Sequence, residues 1–273
     1  MTPLSDEHIR QRLQQLRPEI PWAHYFKLAD GIETITPSNE KFYKKSVSLQ
    51  KLSQLTKDLI PGSTNRRTIT DLTVLDVACG EGCHSIELAR NGANVLGVEG
   101  RPLYVARAQL VADVFGLADS ARFQLGDVRD LSSERLGRFD VVLAFGILHH
   151  LNQDAFFGFL KSLHDLANDT LLLYVHLASD LSVKRHRLKG PVKANDKYEG
   201  FLFQEHEEKA TEQQRLDQVR ASLDNTFSFW PTEAALIDAL SDVGFKFIFR
   251  SLRPHIFHNY ENASYRPIFV CKR

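Results

Sequence analysis

The stretch LDVACGEGCHSIELAR, Leu75 to Arg90, runs apolar up to Asp76, gathers small residues at Ala78, Gly80 and Gly82, and then turns helix-like. Small residues leave room against the backbone, and the first N–H groups of a helix have no intrahelical acceptor. A strand that ends on a carboxylate, turns on such residues and opens a helix is therefore a place where a ligand approaches the main chain closely.

The surroundings repeat the strand and helix alternation. TVLDVA, NVLGVE, RFQLGD, DVVLAFG and TLLLYVHL read as strands, and CHSIELARNG, PLYVARAQLVADVFG and DAFFGFLKSLHDLA as helices between them. Pro102 is placed to begin the second of these helices, and Gly92 and Gly116 to end the first two. Apolar strands alternating with helices predict a parallel sheet covered on both faces. PTEAALIDALSDVG, with Pro231 near its start, is expected to be a further helix leading to the strand FKFIFRSL. No helix separates that strand from PIFVCK, so the last two strands must pair antiparallel. The expected fold is α/β, a seven-stranded, mostly parallel sheet with an antiparallel C-terminal hairpin.

Two regions lie outside this pattern. Ile9, Leu13 and Leu16 mark a short helix, PWAHYFKLADGIETI a hairpin around a DG turn, and Phe42 to Leu59 a second helix closed by Pro61-Gly62. These define an N-terminal cap over residues 1–68, ahead of a core over 69–273. Within the core, an insertion of about 179–230 after the fifth strand holds the basic run KRHRLKGPVK, the acidic, helix-like tract EHEEKATEQQRLDQVR and the aromatic FSFW.

The 273 residues are 43% hydrophobic, with 34 Lys+Arg against 34 Asp+Glu. That suits one large domain with appendages, and the zero formal charge excludes a field-driven attraction to nucleic acid or anionic membrane. Cys79, Cys83 and Cys271 form no metal pattern and cannot all pair, which fits a reducing compartment. The polar N-terminus and the lack of a long apolar run predict a soluble, cytoplasmic protein.

In open parallel sheets, ligands sit beyond the carboxyl ends of the strands. The turn spacing D-x-A-x-G-x-G departs from the dinucleotide fingerprint. Glu99 ends the next strand at the separation where a carboxylate meets ribose hydroxyls, and Asp127 follows the third. Together they describe a pocket for a nucleoside with a compact zwitterionic tail.

In VLDVACGEG, VLGVEG, LGDV and FDVVLAFGILHHL, taken in order from Leu72 to about Leu177, the sequence resembles the class I S-adenosylmethionine-dependent methyltransferases. Ala78 stands where that family usually has its first glycine. The resemblance implies a Rossmann-like methyltransferase fold and S-adenosylmethionine as cofactor, contacted by Asp76, Ala78, Gly80, Gly82, Glu99, Gly100, Asp127, Val128 and Phe145. It implies that Glu99 binds both ribose hydroxyls, that Asp127 and Val128 flank adenine, and that Gly80 and nearby backbone hold the methionyl portion. A narrower resemblance, in WAHYFKLADGIETI and FSFWPTEAALIDALSDVGF, is to the branch containing the tRNA wobble-uridine carboxymethyltransferases and their small-molecule-modifying relatives. That branch often has tyrosine before histidine in the fourth-strand motif where this chain has His149 before His150, so ordinary S-adenosylmethionine is expected.

His149 and His150 are the candidate bases for an oxygen or nitrogen acceptor. Substrate contacts are expected from the overhanging segments: Trp22, His24 and Tyr25 in the cap, Trp230 in the insertion, and Arg253, His255, His258 and Tyr260 in the loop before the last strand. Most insertion aromatics are expected to pack rather than face a ligand. No metal set is visible. The leading expectation is methyl transfer to a small-molecule metabolite. RNA modification, suggested by the basic run, and a non-catalytic S-adenosylmethionine-binding protein are the alternatives.

Overall fold

A computed structural model describes residues 4–35, 54–64, 68–218, 221–251 and 264–273. They fall into two compact units, 1–127 and 128–273.

In the first unit, α1 (Asp6–Gln15) is capped by Ser5, which accepts the His8 N–H. The DG turn joins β1 (Lys27–Ala29) and β2 (Ile32–Glu33) in an antiparallel hairpin, as its residues require. Helical residues 54–63 (α2) run on through Pro61-Gly62, two residues past the expected stop. The start of that expected helix, from Phe42 to Leu52, lies outside the described residues. The core then follows the alternation: β3 (Thr73–Val77), α3 (Cys83–Arg90), β4 (Asn94–Glu99), α4 (Pro102–Val114) and β5 (Ala121–Leu125). β3 pairs parallel with β4, and β4 with β5.

The second unit opens with the short helix α5 (Ser133–Leu136), then β6 (Phe139–Phe145), α6 (Ala155–Leu166) and β7 (Ala167–Tyr174), with β6 and β7 parallel. From Val141 to Ala144 and from Thr170 to Leu173 these strands bury every side chain. Each fully buried Val or Leu contributes about 1.5–3 kcal/mol, which explains the absence of polar alternation. β7 begins three residues before the TLLLYVHL expected for it and stops at Tyr174.

The insertion differs most from expectation. It comprises α7 (Asp180–His186), β8 (Lys189–Ala194), β9 (Tyr198–Gln204), α8 (Glu212–Asp217) and β10 (Phe227–Pro231). The three strands form their own antiparallel sheet in the order β10-β9-β8. The basic run is divided between the last turn of α7 and β8. Among the described residues of the acidic tract, six are helical. FSFW is strand, and Pro231 ends that strand instead of starting α9 (Glu233–Asp242), whose cap is Thr232. Close packing accounts for β10: a Cβ on Gly200 of β9 would lie 2.4 Å from the Phe229 ring, so glycine lets the two strands close.

β11 (Phe247–Ser251) and β12 (Ile268–Lys272) pair antiparallel, and β12 also pairs antiparallel with β7. The mixed seven-stranded sheet has the order β11-β12-β7-β6-β3-β4-β5, in which β12 runs antiparallel to both of its neighbours. Among the described residues no helix is long and apolar enough to cross a membrane, and no cluster of His, Cys, Asp and Glu is arranged to hold a metal ion.

The N-terminal cap is tied to the core of its own unit by a buried ion pair. Glu81, between the two glycines of the turn, and Arg107, inside the otherwise apolar buried face of α4, have no exposed side-chain surface and lie 2.8 Å apart. Arg107 also donates to the carbonyls of Leu16, Arg17, Ile20 and Pro21, with its guanidinium 4.7 Å from the centre of the Trp22 ring. Removing one partner of such a pair leaves the other charge buried and uncompensated, a loss of roughly 3–5 kcal/mol. Arg107→Ala is therefore expected to lose about that much in denaturant unfolding. Arg12→Ala, which breaks the partly exposed bridge to Asp113, is expected to lose about 1 kcal/mol or less.

Candidate functional site

In the first unit, the turn after β3 passes through the left-handed region at Ala78 (φ 56°), Gly80 (57°) and Gly82 (79°). That conformation costs an L-residue roughly 1–2 kcal/mol, so Ala78 holds a strained backbone where a glycine would sit freely. Gly82 is confined for a different reason: a Cβ there would lie 2.8 Å from the Phe123 ring and 3.2 Å from the Ala108 methyl. Its smallness serves the packing of α3 and α4 against β5.

Three carboxylates surround the turn. Asp76 lies one residue before the end of β3, 1% exposed, and accepts the Ser85 hydroxyl at 2.6 Å, which fastens β3 to α3. Burial raises its pKa to about 6, against the lowering effects of Ser85 and His24. Glu99, the last residue of β4 and 6% exposed, accepts the Gly80 N–H on Oε2 and the Arg101 N–H on Oε1, each at 2.9 Å. Burial raises its pKa as well, opposed by those backbone donors. Glu81 Oε2 accepts the N–H groups of Ala23 and His24 and faces His24 Nδ1 at 3.1 Å.

Ala78, Gly80, Gly100, Gly126 and Asp127 are half-buried around these strand tips. Asp127 lies two residues beyond β5. The two backbone donors occupy two of the roughly four acceptor positions of the Glu99 carboxylate, leaving capacity for a vicinal diol. The carboxylate stands beside a turn whose half-buried positions, Ala78 and Gly80, carry little or no side chain.

Of the cap candidates, Trp22 is buried on the Arg107 guanidinium. Tyr25 lines a cavity of about 450 Å³ with Cys83, Ile86, Arg90 and Phe115. His24 faces the glycine turn: its Cε1 lies 3.2 Å from where a Cβ on Gly80 would stand.

In the second unit, Val128 is buried in a 3-10 turn and Phe145 half-buried at the end of β6. His149 and His150 end the next 3-10 turn (Leu148–His150) and differ in kind. His149 is 4% exposed and stacks on His176 with ring centres 3.6 Å apart. Its Nδ1 accepts the His176 N–H and its carbonyl accepts the Trp230 indole N–H. Burial holds its pKa well below the usual imidazole range, so it is neutral with its proton on Nε2. His150, with 23% of its side chain exposed, places Nδ1 2.8 Å from the buried carboxylate of Glu205, which also accepts the Ser222 N–H. Trp230 packs among Ala178, Leu188 and Tyr265. Arg253, His255, His258 and Tyr260 lie outside the described residues.

Glu81, Arg107 and Glu205 were not anticipated. The available signals were a carboxylate flanked by two turn glycines, an arginine on an apolar helix, and an acid at the head of the charged tract. Each gains its partner only through the fold.

Residues 74–169 match the family model described as Methyltransferase domain. The chain is 38% identical over 82 residues to the ubiquinone biosynthesis O-methyltransferase of Psychrobacter cryohalolentis, covering 30% of this chain and 32% of that one. It is 45% identical over 74 residues to the 23S rRNA (uracil(1939)-C(5))-methyltransferase RlmD of Shewanella woodyi, covering 27% and 17% respectively. The similarity thus spans less than a third of either relative's length. Among solved structures, the N-terminal domain of EvdMO1, crystallised with S-adenosylhomocysteine bound, superposes with a TM-score of 0.68 over 99% of this chain and 96% of that one, at 22% identity. This last likeness concerns the fold and extends through cap and insertion.

Asp76 makes stability depend on pH. Its folded pKa of about 6 lies above its unfolded value near 3.9, so the folded state binds the extra proton and stability falls as pH rises through that window. Two units correspond to about 3 kcal/mol. Asp76→Asn should gain stability relative to the parent by about that amount between pH 4 and pH 7, measured by denaturant unfolding; an unchanged difference would contradict the buried-acid assignment.

Proposed function

We propose that this chain, whose residues 74–169 match a methyltransferase-domain family model, is a class I S-adenosylmethionine-dependent enzyme that methylates a heteroatom of a small-molecule metabolite. The carrying observation is Glu99, a buried carboxylate held at the tip of β4 by two backbone N–H groups beside a turn free of bulky side chains. S-adenosylmethionine, when bound, supplies an electrophilic methyl on a sulfonium that departs as a neutral thioether. The protein's part is chiefly alignment and exclusion of water.

In this reading Glu99 takes the ribose hydroxyls on its remaining lone pairs, Asp127 and Val128 flank the base, and Ala78, Gly80 and Gly100 allow close approach. Asp76 holds β3 to α3 beneath the turn, and Phe145 supplies apolar surface. The two histidines divide their roles. His149 with its proton on Nε2 is a donor and a packing element. His150 donates Nδ1–H to Glu205, which leaves the Nε2 lone pair to take a proton from an oxygen or nitrogen acceptor. A carboxylate behind an imidazole fixes its tautomer and stabilises the imidazolium that forms. The ubiquinone-pathway relative favours an oxygen acceptor in a small molecule. The rRNA relative and the basic run at Lys184–Lys193 favour an RNA acceptor, a second reading that the same assay separates.

The test incubates the protein with methyl-labelled S-adenosylmethionine and, separately, a host metabolite extract and host RNA. A labelled metabolite heavier by one methyl group is expected. Label in RNA would establish the second reading, and binding without release of S-adenosylhomocysteine from either pool would establish a non-catalytic role. With the acceptor in hand, His150→Gln should lower kcat roughly 10²–10⁴-fold, the usual share of a general base. Glu205→Gln should lower kcat as well, because the carboxylate that orients the His150 ring is gone.

A further inference from the structure

We propose that His24 binds the amino-acid end of the cofactor, which makes the N-terminal cap part of the binding pocket and not a cover for a sheet edge. This deepens the cofactor reading above and rests on it.

The N–H groups of Cys79, Gly80 and Gly82 are already given to the Val98 carbonyl, Glu99 Oε2 and the Cys79 carbonyl. A zwitterionic aminocarboxylate lying along Gly80 therefore needs a polar partner from elsewhere, since an unpaired charged group in a half-buried site is costly.

His24 is the side chain held at that spot. Its backbone N–H and that of Ala23 both donate to Glu81 Oε2, at 2.8 and 2.9 Å. Its carbonyl accepts the Thr34 hydroxyl at 2.7 Å, and the Thr34 hydroxyl oxygen in turn accepts the Phe26 N–H. The ring is tied through Nδ1 to Glu81, and its Cε1 points at Gly80. Nδ1, the ring nitrogen nearer the turn at 4.0 Å from that Cβ position, is engaged with Glu81; Nε2, bonded to the same Cε1 and farther than 4 Å from that position, is the ring nitrogen that among the described residues no group bonds. The side chain keeps 13% of its surface exposed. Because Glu81 and Arg107 fix the backbone beforehand, little ordering is needed when a ligand arrives.

The geometry also fixes which part of the ligand is touched. Glu99, at the tip of the neighbouring strand, is the sugar's acceptor in the reading above; His24 sits across Gly80 on the turn itself. A ligand that keeps the adenosine and loses the aminocarboxypropyl chain would reach Glu99 and not His24.

Titration calorimetry of the full chain with S-adenosylhomocysteine and with 5′-methylthioadenosine tests this. His24→Ala should bind S-adenosylhomocysteine tenfold or more weakly than the parent and 5′-methylthioadenosine within twofold of it. His24→Asn keeps a donor near the Nδ1 position and removes Nε2; it should show the same split, and it serves if the alanine variant does not fold. Equal losses for both ligands, or no loss for either, would overturn the inference while leaving the cofactor reading intact. Failure of the parent to bind S-adenosylhomocysteine would overturn both.

Discussion

Glu81 carries a carboxylate with no exposed surface in the middle of a turn built for small residues, and it persists because four donors meet it: two backbone N–H groups, an imidazole and the Arg107 guanidinium. Much else in the first unit depends on this contact. Arg107 gathers four carbonyls of the chain between Leu16 and Pro21, Trp22 lies on its guanidinium, and the hairpin that follows is presented to the glycine turn with His24 foremost. Glu99 does the corresponding work from the other side, binding Gly80 to the tip of β4. A glycine turn is thus held in one shape by two acidic side chains.

The division of the two histidines after β6 follows from equally local causes. Adjacent in sequence and similar in chemistry, they differ because one is buried against His176 and Trp230 while the other meets Glu205. Burial without a counter-charge keeps His149 neutral, while the Glu205 carboxylate at Nδ1 orients the His150 ring. Environment, not residue type, distinguishes a packing imidazole from one suited to proton transfer.

The legible parts of this fold were those governed by short-range rules. Apolar runs between Leu72 and Tyr174, Pro102 at a helix start and the DG turn of the hairpin depend on a few neighbouring residues, and each lies within about three residues of where its pattern predicts. The antiparallel end of the sheet followed from the lack of a connecting helix. The insertion was not legible, because β8, β9 and β10 owe their existence to a long-range fit of Gly200 against Phe229 that no periodicity announces. In the same way Asp76, Glu99 and Asp127 could be placed at or near successive strand ends from the sequence. Glu81 and Arg107 are separated by a helix and a strand in sequence, and Glu205 lies 55 residues from the histidine it orients. Pairs of that kind are fixed by tertiary structure alone.

The central claim is that an adenosyl ligand rests on the first two strand tips with its sugar held by Glu99. Calorimetric titration of S-adenosylhomocysteine into the parent protein and into Glu99→Ala tests it most directly. Hydrogen bonds to a charged acceptor contribute about 1.5–3 kcal/mol each, so saturable binding by the parent and a loss of tenfold or more in the variant are predicted. Equal affinity in the two proteins, or no binding by the parent, would contradict the account.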